Sequence, residues 1–556
     1  MPASVSPPSP TLSREGPERS PRPSKWILLA ALVVTLFAVS HAWVKGPYSQ
    51  HVDEHFLLGA SHKILQSGNF DPGWYRYGSV SIHLCAIGEA VGYLDHSRKN
   101  RWKPVSELPQ SIVPLARPAQ LVSWPRLIFA LLGGVSLLLA GLCANRLRPR
   151  SCAGPVTILL LASHLSVQEQ WFGYLNVDVI AAFFAMSAIW AHLSARRDAS
   201  WVWTSALPAA LWGMAAATKY PMGIGVLSVV VADLLRRGRP SFWQALASLT
   251  VALLAFVALM PFALTNSPAF LSDLAYELSH YAKGHRDFTS EPGFDSAWHH
   301  VRAWLLPLGS AVAATLWGAV VAFKRTPRRA FTLLGPGFAL LALLSLQSAN
   351  FTRNSLLLGY LFCILAGVGV AAAFPWLLKI VLKLKLPGLR RPIVRRLSVA
   401  LVLFGILLST QWPAYAQLVG GHKESRDRLQ LRLKKLPKDS RVAIPHPDFM
   451  STDSVTLVNY DPLASSTEAL LQLDRSQATH AIVPQKWARS RFRADKSVLK
   501  AVENAQTLTI PGKSIWRGGV DEVWVHWPFH PRGNPQVQLI EIDRAQLRNQ
   551  LAGAPN

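Results

Sequence analysis

Long apolar segments separated by short clusters of basic residues constrain this chain more than any other feature. About eleven segments have roughly the 17 to 25 residues that a helix needs to cross a bilayer. They lie at about 26–44, 124–145, 153–171, 177–194, 203–218, 220–235, 243–263, 303–323, 331–347, 355–375 and 397–413. The sequence therefore predicts a polytopic α-helical membrane protein.

The basic clusters predict the orientation of these segments. Arg14, Arg19, Arg22 and Lys25 precede the first one, which places the N-terminus inside. Later clusters on the same side lie at 146–150, 196–197, 236–239, 324–329 and 379–396. The segments predicted on the outer side are a first outer loop at about 45–122, a loop at about 264–301, short turns near 172–176 and 348–354, and the region from about 414. Two alternatives stay open: the first segment could be a cleaved signal peptide, and 203–235 could be one long kinked helix.

Composition supports a membrane protein and argues against nucleic-acid binding. Charged residues make up 16% of the chain, against roughly a quarter in soluble domains. A net charge of +26 alone would suggest a nucleic-acid partner. However, the basic residues lie between apolar segments, and no zinc finger or RNA-binding aromatic motif accompanies them. The four cysteines, Cys85, Cys143, Cys152 and Cys363, are too scattered for a disulfide framework and are expected to be buried thiols.

Three regions are predicted. Residues 1–25, rich in Pro and Ser, form a disordered cytoplasmic tail. Residues 26–413 form the transmembrane domain, and 414–556 form a small extracytoplasmic α/β domain. Apolar spacing predicts amphipathic surface helices at 54–67 and 79–94 in the first outer loop. In the last region, strands are predicted at 441–444, 481–483 and 537–540, with a helix at 466–474.

The pentapeptide His51-Val52-Asp53-Glu54-His55 raises the first chemical hypothesis. It matches the H-x-x-E-H signature of one group of zinc peptidases, whose two histidines bind the metal while the glutamate activates water. A third ligand would have to come from Glu89 or Glu107. The helical pattern begins at Asp53 and Glu54, so His51 lies before its first turn. This placement disfavours the peptidase, although a divalent metal bound near Asp53 stays possible.

Polar residues near the predicted membrane boundary all fall on the outer side. Asp53 and Glu54 follow the first segment, Asp178 opens the fourth, Lys219 lies at a hairpin, and Arg353 opens the tenth. The loop sequence YELSHYAKGHRDF adds Glu277, His280, Tyr281, His285 and Arg286. Each alone could be a solvated loop residue or an interfacial anchor. Their convergence on one compartment predicts a functional site there, because charges beside the membrane are costly.

Four stretches resemble a known family: HVDEHFLLGASHKILQSGNFDPGWYRYGSVSIHL, QWFGYLNVDVIAAFF, GMAAATKYPMGIGVL and YELSHYAKGHRDF. They are similar to the GT-C membrane glycosyltransferases that use polyprenyl-phosphate-linked sugars, which include protein O-mannosyltransferases and aminoarabinose transferases. The resemblance covers about residues 26–375. It implies that Asp53 is the catalytic carboxylate with Glu54 as its neighbour, that Asp178 is the second acidic residue, and that Lys219 lies in the motif ATKY. The family's later arginine, often in an Arg-Tyr context, has only NFTRNSLL here, with Arg353.

Chemistry alone is consistent with this resemblance. Sugar transfer needs a carboxylate to take the acceptor's proton, together with cations that neutralise the leaving phosphate. Asp53 can supply the first and Lys219 and Arg353 the second, with His280, Tyr281, His285 and Arg286 as candidate substrate-binding residues. Direct displacement with a single base implies inversion. The expected partners are a polyprenyl-phosphate sugar, a lipid, glycan or protein acceptor and membrane lipids, with no nucleic acid and no certain cofactor.

The expected location is the plasma (inner) membrane, with the active site outside the cytoplasm. The aromatic residues Trp74, Tyr75 and Tyr77 could stack on a sugar or anchor the first outer loop at the interface. The rival function is a multi-span transporter. A transporter would be expected to have two related halves and charges near the middle of its spans, whereas here the charges gather at the outer ends.

Overall fold

The computed structural model describes the helical region at residues 25–44, 52–100, 119–172, 175–196, 199–234, 242–285 and 289–383. In the C-terminal region it describes 425–445, 454–462, 464–485, 487–488, 500, 503–505, 507–518, 523–524 and 536–553. The predicted tail at 1–25, apart from Lys25, and the predicted segment at 397–413 lie outside these residues.

Helices build most of the described chain. In order they are α1 Lys25–Val44, α2 Val52–Ser67, α3 Ser79–Asn100, α4 Ala119–Leu147, α5 Ala153–Ser163, α6 Leu165–Phe172, α7 Val177–Ser194, α8 Leu207–Thr218, α9 Val226–Leu234, α10 Phe242–Leu259, α11 Phe262–Thr265, α12 Ser267–Lys283, α13 Phe294–Leu305, α14 Ala311–Arg325, α15 Pro327–Ser345 and α16 Leu356–Lys383. A π-helical turn, Val202–Ala206, leads into α8. Tight 3₁₀ turns precede α9, α14 and α16, at Tyr220–Gly225, Leu306–Leu308 and Thr352–Ser355.

Four described helices are long and apolar enough to cross a bilayer: Val122–Leu147, Val177–Ser194, Phe242–Leu259 and Thr352–Trp376. The described residues contain a fifth candidate span if the bent pair α13 and α14 crosses the bilayer as one span. On α10, large apolar side chains such as Trp243, Leu253 and Leu254 are exposed. A bilayer is the environment in which such a surface is stable. The protein is therefore a helical membrane protein, and the count of about eleven spans stays a prediction.

The predicted spans 153–171 and 303–323 are wrong as continuous helices. The segment 153–171 is divided into α5 and α6 at His164, whose backbone is extended (ψ 118°) and whose Nε2 donates to the Trp304 carbonyl at 2.9 Å. The segment 303–323 is divided at Pro307 and Gly309, where α13 and α14 meet at 110°. Proline restricts the residue before it and removes a helical N–H. Gly309 has φ 53°, a value that favours glycine.

The structure has helices at both positions predicted for the first outer loop, and their location on the membrane surface stays a prediction. The pattern at 54–67 is α2, and the pattern at 79–94 is α3. The buried face of α2 includes Leu57, Leu58 and Ile64, which belong to one core cluster with Ile82 and Cys85 of α3. This packing fixes the N-terminus of α2, where Asp53 and Glu54 lie in the first turn.

The C-terminal region contains the predicted strands and helix. Its helices are α17 Ser425–Leu433, α18 Ser466–Arg475 and α19 Arg544–Ala552. Its strands are β1 Arg441–Ile444, β2 Thr456–Asn459, β3 His480–Pro484, β4 Trp487–Ala488, β5 Gly512–Gly518, β6 Val523–Trp524 and β7 Val537–Ile542. Five of them form a sheet in the order β2-β1-β3-β7-β5, parallel from β2 to β3 and antiparallel from there on.

Candidate active site

Asp53 and Arg353 form an ion pair although 300 positions separate them in sequence. Arg353 donates from Nη1 to Asp53 Oδ2. The side chains keep 16% and 14% of their surface exposed, so the pair is accessible from outside the protein. Arg353 also lies over the ring of Phe351, with Cζ 5.0 Å from the ring centroid. The structure thus brings together the acidic and the basic residue that the sequence assigned to catalysis and phosphate binding.

Tyr77 adds a neutral donor to this pair. Its hydroxyl donates to Asp53 Oδ2 at 3.2 Å. The segment that carries Tyr77 is packed tightly against the end of α8, because Gly78 N donates to Thr218 O at 3.2 Å. A Cβ at position 78 would lie 1.8 Å from the Ala217 carbonyl, so only glycine fits there. This close approach brings the Asp53 cluster beside Lys219.

Lys219 and Asp178 form a second, buried ion pair. Asp178 lies in the first turn of α7, behind the N-cap Asn176, where the helix dipole favours a negative charge. Lys219 ends α8 with an extended backbone and donates to Asp178 Oδ1 and, at 2.7 Å, to Asn354 Oδ1. Asp178 Oδ2 is buried and has no hydrogen-bond partner in the described part of the chain, and the Asn354 side chain hydrogen-bonds to Tyr281. Asp178 Oδ2 remains able to bind another polar group.

The turn that carries Arg353 and Asn354 is held in place by the next residue. Ser355 Oγ accepts from Trp304 Nε1 at 2.8 Å and lies 2.9 Å from His300 Nδ1. Before the turn, Asn350 Oδ1 accepts from Ser296 Oγ at 2.8 Å. These contacts connect the turn to α13, so α13 holds the turn that carries Arg353 and Asn354 in place.

Glu54 has a different environment from Asp53. Its carboxylate is completely buried and accepts from Arg126 twice, Nε to Oε1 at 3.1 Å and Nη2 to Oε2 at 2.9 Å. Leu175 N also donates to Oε1, at 2.8 Å. Glu54 therefore connects α2 to α4 and to the segment before α7, and it holds in place the first turn that presents Asp53. The structure favours a positioning role for Glu54 over a direct chemical one.

Helix α12 carries the remaining predicted residues. The His280 ring is near Phe351 (6.2 Å between centroids), Tyr276 (6.1 Å) and His285 (5.5 Å). The Tyr281 carbonyl accepts from Ser348 N and Ala349 N at 3.0 and 3.1 Å, which connects α12 to the segment before Phe351. His280, Tyr281 and His285 therefore lie beside the Arg353 turn. Arg286 lies outside the described residues.

Burial changes the pKa of three groups on α12, and it raises that of the Tyr281 hydroxyl. It raises the pKa of Glu277 to about 7, although the positive charges of Arg76, Lys219 and Arg353 act in the opposite direction. Burial also lowers the pKa of His280, and His285, Arg76 and Arg353 lower it further. His280 is therefore expected to be neutral at physiological pH, whereas Glu277 changes its charge there.

The zinc-peptidase hypothesis conflicts with this geometry. Its general base would be Glu54, whose two oxygens accept hydrogen bonds from Arg126 in a buried pair. Glu89, a proposed third ligand, accepts from Ser61 at 2.6 Å and contacts His62 at 3.1 Å. Among the described residues, which exclude His51, no group of three metal-ligating side chains is close enough to hold an ion.

Several residues of the cluster were not found from the sequence alone. Trp74 and Tyr75 were candidates for sugar stacking, but Trp74 stacks on Phe56 at 5.4 Å and Tyr75 is completely buried. Tyr77 instead contacts Asp53. No sequence pattern pointed to Asn354. Arg126 is a charge just inside the predicted span at 124–145, and a charge in that position is a reason to expect a partner.

The fold and the cluster together define a helical membrane protein in which paired carboxylates and cations meet at the ends of four helices. A scan against protein-family models finds no match for the chain, and a search of curated proteins finds none.

Solved structures are similar to the chain at low identity. The crystal structure of ArnT from Cupriavidus metallidurans bound to undecaprenyl phosphate has 14% identity and a TM-score of 0.49, covering 93% of this chain and 98% of that chain. An oligosaccharyltransferase from Archaeoglobus fulgidus in the apo form has 13% identity and a TM-score of 0.46, covering 83% and 70%. The protein O-mannosyltransferase Pmt1-Pmt2 complex of S. cerevisiae has 17% identity and a TM-score of 0.31, covering 51% and 37%.

Proposed function

We propose that this protein transfers a sugar from a polyprenyl-phosphate donor to an acceptor on the extracytoplasmic face of the membrane. The observation that carries the proposal is the accessible Asp53–Arg353 pair beside the buried Lys219–Asp178 pair. A base and two cations in one cluster match what displacement of a phosphate from a sugar requires. The four sequence motifs support the same chemistry.

In this proposal Asp53 takes the proton of the acceptor while the acceptor oxygen attacks the anomeric carbon. The bond from that carbon to the phosphate oxygen breaks, and the lipid phosphate leaves with the electron pair. Attack opposite the leaving group inverts the anomeric centre. Asp53 also stabilises the positive charge that develops on the sugar ring in the transition state. Tyr77 keeps the Asp53 carboxylate oriented.

Arg353 and Lys219 are proposed to neutralise the leaving phosphate. A guanidinium has five N–H donors in a planar fork, so Arg353 can contact a phosphate while it still orients Asp53. Asp178 and Asn354 hold Lys219 in place. His280, Tyr281 and His285 are proposed to contact the sugar or the acceptor, because they lie beside Phe351 and Arg353. Arg286 is kept in this group from the sequence alone.

A reconstitution experiment tests the proposal. The full chain is placed in lipid vesicles with a panel of polyprenyl-phosphate hexoses and pentoses and with lipid, glycan and peptide acceptors. We expect one donor to be converted to free polyprenyl phosphate, with the sugar attached to an acceptor in the opposite anomeric configuration. Movement of the intact donor across the bilayer without cleavage would overturn the proposal and favour a transporter.

A further inference from the structure

Glu277 is a half-buried carboxyl beside the site that the proposed chemistry does not use. It lies on α12, where Asp273, Glu277 and Tyr281 follow one another at a spacing of four and therefore share one face. Both ends of this face are attached to the site. Tyr75 N donates to Asp273 Oδ2 at 2.7 Å, and the Tyr281 carbonyl accepts from Ser348 N and Ala349 N. Glu277 lies between these two attachments.

Three cations from separate segments of the chain act on Glu277. The charges that act on it most strongly are those of Arg76, Lys219 and Arg353. Two of these are the residues proposed to hold the donor phosphate. The titratable and charged groups that act on Glu277, or on which it acts, are Arg76 and Tyr77 of the first outer loop, Lys219 and Tyr220 after α8, Arg353 before α16, and Asp273 and Tyr281 on α12.

A carboxylate at this position would repel a phosphate held by Lys219 and Arg353. A neutral carboxylic acid would instead donate a hydrogen bond to it. Burial keeps the pKa of Glu277 near 7, and an added phosphate charge would raise it further. Among the described residues no side chain is a hydrogen-bond partner of this carboxyl, so its O–H group can be used by a ligand.

We propose that Glu277 is part of the donor-phosphate site and contacts the phosphate as a neutral carboxylic acid. This inference rests on the proposed function. It predicts that protonation of Glu277 accompanies binding of the lipid phosphate. The affinity should therefore be highest below about pH 7 and should fall as Glu277 ionises at higher pH.

The test measures binding of a short-chain polyprenyl phosphate to the full chain in detergent micelles, at about pH 6 and about pH 8.5. The phosphate and the histidines also titrate in this range, so the quantity compared is the ratio of the Kd values of wild type and Glu277→Gln at each pH. We expect this ratio to be near one at the lower pH. At the higher pH the variant should bind roughly tenfold more tightly, because the repulsive charge is absent.

Two further variants complete the design. Glu277→Asp keeps a titrating carboxyl and should retain a pH-dependent affinity. Glu291→Gln removes an exposed carboxyl that follows α12 and should match wild type at both pH values. A ratio for Glu277→Gln that stays constant with pH, in protein with wild-type thermal stability, overturns the role of Glu277 and leaves the proposed function intact. Absence of lipid-phosphate binding by wild type at both pH values overturns the proposed donor and this inference together.

Discussion

Asp53 and Glu54 are adjacent in sequence, and each pairs with an arginine from a distant part of the chain, but the two pairs have different environments. The Asp53–Arg353 pair keeps 16% and 14% of its side-chain surface exposed, whereas the Glu54–Arg126 pair keeps 0% and 3%. A partly exposed pair remains available to a ligand. A buried pair matters for the free energy of unfolding, since removing one partner leaves a buried charge without its counterion. One acidic motif thus supplies both the proposed reactive group and its support.

The largest expected effect comes from Asp53→Asn. The change keeps the shape of the side chain and removes the basic oxygen, so the transfer rate should fall by a factor on the order of 10²–10⁴. The free energy of unfolding should fall by less than in Glu54→Gln, because the Asp53–Arg353 pair is more exposed than the Glu54–Arg126 pair. Single-turnover transfer and thermal unfolding in detergent measure the two quantities. Near-normal turnover in correctly inserted protein would remove Asp53 from the chemistry.

Glu54→Gln should show the opposite pattern. Arg126 would be left buried without an anion, which should lower the free energy of unfolding by about 3–5 kcal/mol. The transfer rate per folded molecule should change much less than in Asp53→Asn. Adding Arg126→Met should recover part of the stability, because the unpaired charge is then removed. A rate loss in Glu54→Gln as large as that of Asp53→Asn, with normal stability, would mean that both carboxylates act directly.

Lys219→Ala and Arg353→Ala should weaken use of the donor. A charge-assisted contact to phosphate is worth roughly 1.5–3 kcal/mol, so the donor concentration needed for half-maximal rate should rise about ten- to a hundredfold. Lys219→Ala should also lower stability, because Asp178 is buried and loses its partner. The matched control is Lys283→Ala, which removes an exposed cation of α12. Unchanged donor dependence in both site variants would exclude them from phosphate binding.

Tyr77→Phe should have the smallest effect in this series. It removes one hydrogen bond to Asp53 and leaves the ion pair, so the rate should fall by roughly three- to tenfold. Tyr460→Phe is the control, since it removes a tyrosine hydroxyl that donates to Ile482 O at 3.0 Å in the C-terminal region. The rate of the control variant should equal that of wild type. If the transfer rate of Tyr77→Phe also equalled that of wild type, the contact to Asp53 would have no role in transfer.

Sequence patterns predicted much of the architecture because they depend on local spacing. The period of Phe56, Ala60 and Ile64 predicted a helix at 54–67, and α2 spans Val52–Ser67. Adjacent helical residues point about 100° apart, so the sequence could predict that Asp53 and Glu54 differ in direction. It could not predict which of them is buried, since that depends on Arg126, 72 positions away.

The breaks in two predicted spans differ in how far they could be predicted. The sequence Leu306-Pro307-Leu308-Gly309 carried a breaker signal that the span prediction did not use. The break at His164 has neither proline nor glycine at the bend, and the His164 side chain there donates to the carbonyl of Trp304, which is distant in the sequence. The cluster of Lys219, Asp178 and Asn354 likewise depends on tertiary contacts between segments that are distant in the sequence.

Mass spectrometry of envelope glycans and lipids tests the central claim most directly. Four strains are compared: wild type, a strain lacking this protein, and that strain carrying either Asp53→Asn or Glu54→Gln at matched amounts of folded protein. The account predicts that one sugar modification is lost without the protein, stays absent with Asp53→Asn and returns with Glu54→Gln. Identical glycans and lipids in all four strains, or full restoration by Asp53→Asn, would contradict it.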